Sequence, residues 1–170
     1  IELYWRLKLN VDLCEELGVS IYSFPMKYHP IEDPAYFSNR DYIGEKWKRK
    51  YIRTIQAILN STKGKVGKGK EFFEKAFGKN DEEFKKLLIM PEAMIIYRFY
   101  FEEIGLTDEW WNHYVSLTDT QKALIDPIIW SNNFDEYEGT ITDIQCLKVL
   151  SYYKIKREDA EVILKKRKEK

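Results

Sequence analysis

The densest chemistry in the sequence is a run of glycine and lysine, Gly64-Lys65-Val66-Gly67-Lys68-Gly69-Lys70. It matches the G-x-x-x-x-G-K part of a phosphate-binding loop, in which glycine amides cradle phosphate and the lysine neutralises it. Two requirements of that loop are missing. Glu71 stands where Ser or Thr should hold magnesium, and the preceding segment reads as helix rather than strand. What remains is an anion-binding turn, with Lys63, Lys65, Lys68 and Lys70 converging on a helix N-terminus, set against a solvated lysine loop.

A second basic group precedes it. Lys46, Arg49, Lys50 and Arg53 fall on one side of a helical pattern whose other side carries Trp47, Tyr51, Ile55, Ile58 and Leu59. Basic and aromatic side chains together can neutralise phosphates and stack on bases. The spacing places these aromatics on the stripe that faces the core, so packing is their expected role. Arg49, Lys50 and Arg53 are the expected anion contacts.

Metal chemistry needs His and Cys at turn or helix spacing. His29, His113, Cys14 and Cys146 are each isolated, so no metal site is expected from this chain. His29 is the more informative histidine. It lies in the loop Ser23-Phe-Pro-Met-Lys-Tyr-His-Pro30, where a side chain titrating near neutrality can meet a ligand or simply bond to backbone. The carboxylates of Asp135-Glu136-Tyr137-Glu138 have no apolar wall to raise a pKa and read as a solvated turn.

These residues sit in a chain of 170 with 44% hydrophobic and 15% aromatic content, enough for a core and against disorder. No apolar run approaches the ~20 residues of a membrane span. Two distant cysteines suit a reducing compartment, and cytoplasm is the expected location. The formal net charge is zero, yet the charges are segregated. Lys46 to Lys70 holds nine Lys/Arg and no acid, whereas Glu102 to Asp143 holds ten acids and the single base Lys122. A basic tail, Lys165-Lys-Arg-Lys168, closes the chain. Such blocks make a binding face, or they neutralise one another in the fold.

The elements that must position these residues are mostly helical. Glu2–Leu17 is an amphipathic helix stopped by Gly18, and Val19–Phe24 is a short buried strand. Prolines 25, 30 and 34 make 26–36 an irregular loop. Further helices are expected over Glu45–Leu59, Lys70–Phe77 and Asp81–Leu88, the last with an Asn80/Glu83 capping box. Pro91 opens Glu92–Ile104. Thr107 and Thr118 cap Asp108–Val115 and a helix toward Trp130, which Pro127 should kink or end early. Thr142–Tyr153 and Arg157–Lys168 form a closing hairpin. The expected fold is mainly α, about seven helices with one N-terminal helix–strand unit. The expected division is 1–30, 31–139 and 140–170. A lone strand after a helix is the second half of a βαβ unit, so the chain reads as a piece of a longer protein.

From Leu3-Tyr-Trp-Arg-Leu-Lys to Pro30 the sequence resembles the last helix and strand of the partial (β/α)6 barrel of radical S-adenosylmethionine enzymes. Ser38-Asn-Arg-Asp-Tyr, Trp47-Lys-Arg-Lys-Tyr-Ile-Arg and Gln56-Ala-Ile-Leu-Asn resemble the C-terminal extension of uncharacterised members. The resemblance implies that Ser23, Phe24, Pro25 and Met26 pack against the adenine of S-adenosylmethionine. It also implies a [4Fe-4S] cluster held elsewhere in the parent polypeptide, because the family's three closely spaced cysteines are absent here. The implied function is a C-terminal cap that closes the barrel and faces substrate or partner, without catalysing alone. Its implied partner is the upstream part of its own polypeptide, with self-association through the orphan strand as another outcome. A nucleic-acid or anion-binding module using 46–70, and a purely structural interaction domain, are the alternatives.

Overall fold

A computed structural model describes residues 1–21, 25–37, 41–64, 69–135 and 139–169. It is mainly helical, with eleven helical segments and no strand among the described residues. Two compact units divide the chain, Ile1–Leu88 and Ile89–Lys170. The boundaries near 30 and 139 expected from sequence lie inside these units.

In the first unit, α1 (Glu2–Leu17) stops where foreseen, with Gly18 left-handed at φ 63°. Tyr4, Leu7 and Val11 form its buried stripe. That stripe meets α4 (Lys70–Phe77) and α5 (Asp81–Ile89) in an aromatic cluster. The Tyr4 ring lies 5.4 Å from Phe73 and 5.3 Å from Phe84, and Phe73 stacks on Phe77 at 5.3 Å. The Tyr4 hydroxyl donates to Gly78 O at 3.2 Å, so the buried phenol is satisfied. Gly78 itself is required. At φ 94° a Cβ there would stand 2.8 Å from Glu83 Cβ. The Asn80 cap forms as expected, with Oδ1 accepting from Glu83 N at 2.9 Å. The reciprocal Glu83 carboxylate reaches Lys79 N instead of Asn80 N, at 2.8 Å.

The strand Val19–Phe24 does not form over the described residues 19–21, and Tyr22 to Phe24 lie outside them. A strand is stable only when paired, and no second strand is present among the described residues. The backbone of Ile21 meets the Cys14 side chain instead. Its N–H donates to Sγ at 3.1 Å, and the thiol donates to Ile21 O at 3.7 Å. A single turn, α2 (Pro34–Phe37), follows the proline-rich loop, and α3 spans Arg49–Ser61. This helix starts four residues later than the pattern suggested, which leaves Trp47 in the preceding turn.

The second unit is built on Leu117, Ile125, Ile129, Cys146, Val149 and Leu150, all buried. Its N-terminal part differs from expectation. One helix, Glu92–Ile104, is divided at Tyr97 into α6 (Glu92–Ile96) and α7 (Arg98–Glu103). Gly105, left-handed at φ 72°, is both the end of that segment and the cap of α8 (Leu106–Val115). Thr107 is therefore inside the helix and buried rather than its cap. Thr118 and Gln121 form the capping box of α9 (Asp119–Ser131). The helix runs through Pro127 without ending. The cost of the lost backbone bond is offset by Ile125 and Ile129, both fully buried on either side of the proline. Gln121 also donates to Asp143 at 3.0 Å, and Asp143 caps α10 (Ile144–Tyr153) by accepting from Cys146 N at 2.9 Å. The caps of two core helices are thus one network. Helix α11 (Arg157–Lys168) closes the chain at its expected limits.

Both cysteines are free thiols. Among the described residues no helix is long and apolar enough to cross a membrane.

Candidate functional site

The glycine–lysine turn ends in a helix N-terminus that already holds an anion. The Lys70 N–H, the first orphan donor of α4, donates to the Glu15 carboxylate at 2.7 Å. Glu15 comes from α1, which reaches this point through its contact with α4. A protein carboxylate therefore takes the place expected for phosphate, with the same electrostatic logic. The open depression here, about 380 Å³, is lined by Glu15, Gly69, Lys70, Glu71, Phe72 and Lys75. Among the described residues that line it, two carboxylates balance two lysines. Lys63 is exposed at the end of α3, with φ 54°, while Lys65 and Lys68 lie outside the described residues. Replacing Glu15 by Ala should lower the stability of the first unit by about 1 kcal/mol, the usual worth of a helix cap. Thermal unfolding should show it as a fall of roughly 4–8 °C in midpoint. No fall would mean that Glu15 does not act as the cap.

The four cations expected on one helical face do not stay together. Arg49 and Arg53 are exposed on α3 and Lys46 is exposed just before it, but Lys50 is only 1% exposed. The correction has a geometric cause. Helical residues 50, 54, 57 and 58 share a side, and that side is the buried one, with Thr54 bonded to Leu88 O at 3.2 Å. Trp47 departs in the other direction. Expected in the core, it is 40% exposed.

Pro25 is half-buried, whereas Met26 is 81% exposed; Ser23 and Phe24 lie outside the described residues. Both ring nitrogens of His29 are buried without a hydrogen-bond partner. Among the described residues it is therefore not the backbone-bonded histidine, one of the two roles expected of it.

A cluster in the second unit had no single motif to announce it. Tyr152, buried on α10, donates to Glu109 Oε1 of α8 at 2.7 Å and lies 3.0 Å from His113 Nδ1. Arg167 of α11 donates to the other Glu109 oxygen at 3.0 Å and to Ile104 O at 2.7 Å. Lys148 stands 3.6 Å from Glu109 and 5.1 Å above the Tyr152 ring. The Tyr152 hydrogen bond, more than the two cations, holds the Glu109 carboxyl below its ordinary range. Burial, then Glu109, drives the Tyr152 phenol well above its own. Every member is satisfied, and the cluster ties the last helix to α8. Its sequence signal was the basic tail opposite an acid-rich segment, which identifies the charges but not the pairs.

Among the described residues no group of three or more His, Cys, Asp or Glu side chains is placed to hold a metal ion. No protein-family model, curated protein or solved structure matches the chain.

Proposed function

We propose that the chain is a non-catalytic helical module that acts as the C-terminal cap of a radical S-adenosylmethionine protein. The observation that supports this reading, besides the resemblance of the first thirty residues, is a second apolar face on α1. Ile1, Trp5, Leu9 and Leu17 are 45%, 50%, 57% and 61% exposed. Trp5 and Leu9 are four apart and Leu17 is eight further on, so with the N-cap Ile1 they fall on the side away from Tyr4, Leu7 and Val11, interleaved with the charged Glu2, Arg6 and Glu16. A helix with exposed apolar side chains opposite its buried stripe is suited to lie between two partners. The α4–α5 aromatics cover one face, and a parallel sheet covers the other in a (β/α) barrel. The segment from Val19, half-exposed and without strand pairing among the described residues, then becomes the barrel's closing strand once a neighbouring strand supplies its hydrogen bonds.

The donor set of this chain does not fit an iron–sulfur cluster. It has two cysteines, one in each unit, and neither belongs to a closely spaced set. In this reading the cluster ligands belong to another part of the polypeptide, and no chemical step is assigned to residues here. The test is to express the complete reading frame anaerobically and measure iron, sulfide and the visible spectrum. About four irons per chain with broad absorbance near ~400 nm are expected. A colourless, iron-free protein overturns the proposal.

A further inference from the structure

We propose that the turn Gly44–Trp47 and the outer row of α3 form a contact surface for single-stranded nucleic acid, independent of the cap reading above. Arg49, Arg53, Gln56 and Asn60 are all exposed and recur at helical spacings of four, three and four. They therefore make one straight row about 16 Å long, from the ~1.5 Å rise per residue. Every side chain in the row can donate a hydrogen bond, and none is an acid. The opposite side of the helix, Thr54, Ile55, Ala57 and Ile58, is buried, so the row's direction is fixed.

Trp47 lies in the turn that leads into α3, two residues before Arg49 in the chain. Its N–H closes a turn on Gly44 O at 2.8 Å, and its ring edge lies 3.5 Å from where a Cβ on Gly44 would stand. The indole is thus held against the turn while remaining 40% exposed. An exposed, positioned aromatic beside cations is the arrangement on which a base stacks while its phosphates are neutralised. From Lys46 through Gly64 there is no acidic residue, and Lys46 and Lys63 extend the positive charge at the two ends. Glu45 is the acid of the turn itself. Arg49 makes no ion pair among the described residues.

The occupant follows from this chemistry. Cations alone would take any polyanion, whereas the indole adds a partner with an open π-face. Bases stacked in a duplex do not offer one, so the surface selects a single strand.

The experiment is fluorescence anisotropy of a labelled oligothymidylate, about a dozen nucleotides long, titrated with the 170-residue chain at low and moderate salt. Binding should weaken steeply with salt. Trp47→Ala should weaken it roughly tenfold at fixed salt, the usual scale of one lost stack. Arg49→Gln and Arg53→Gln should each lower the log–log salt slope by about 0.7, the single-strand value per phosphate. Lys165→Gln with Lys166→Gln, on the exposed basic tail, should leave affinity unchanged. Because all these side chains are exposed, circular dichroism is expected to show unaltered folding. Absence of binding at low salt overturns the proposal. So does an unchanged affinity in Trp47→Ala, an equal loss in the tail variant, or equal binding of duplex or polyglutamate.

Discussion

Phe77→Ala should cost the first unit about 3–5 kcal/mol, the usual range for emptying a fully buried aromatic site. Phe77 has no exposed surface. Its ring stacks on Phe73 at 5.3 Å and tilts against Phe84 at 6.3 Å, so it joins α4 to α5 through the same cluster that holds Tyr4 of α1. The cavity cannot close easily. The next residue, Gly78, is fixed by the Tyr4 hydrogen bond and by the close approach of Glu83. Small domains are stable by ~5–15 kcal/mol, so the variant should be marginal. Urea unfolding, with amide exchange read in α1 and α4, measures the loss. A change below about 1 kcal/mol would mean that this ring is not a core residue.

Glu109→Ala should loosen α11, which keeps the Arg167 bond to Ile104 O, and cost the second unit about 1–2 kcal/mol, the loss expected when a carboxylate leaves its hydrogen-bond donors in a partly wet site. The same substitution should change the pH dependence. Tyr152 first, then Arg167 and Lys148, favour ionised Glu109 in the fold, so its folded pKa lies below the ordinary value of 4.5. A depressed carboxyl pKa contributes stability that is complete above the unfolded value and is lost as pH falls through the folded one. Thermal midpoints between neutral pH and the acid range should therefore fall less steeply in Glu109→Ala than in the parent. Tyr152 acts at the other end. Its raised phenol pKa keeps it neutral in the fold, and that contribution is lost as pH rises beyond the ordinary tyrosine value of 10.0. Identical acid branches in parent and variant would remove Glu109 as the titrating link to α11.

What the sequence determined is local. Gly18 ends α1, Gly78 ends α4, the Asn80 and Thr118 caps start α5 and α9, and Arg157–Lys168 is helical at its expected limits. Each depends on residues within about one turn of each other, where side-chain oxygens, left-handed glycines and periodicity act without help from the rest of the chain. Only the tertiary structure decided the remainder. Lys50 is buried and Trp47 is exposed because the start of α3, and hence the side facing the core, depends on what packs against it. Glu15 fills the α4 N-terminus from 55 positions away. Pro127 stays inside α9 because buried isoleucines flank it. Glu109, Tyr152 and Arg167 meet across three helices. Charge blocks show which signs must be balanced, but partner choice is set by helix packing, and that information is not local.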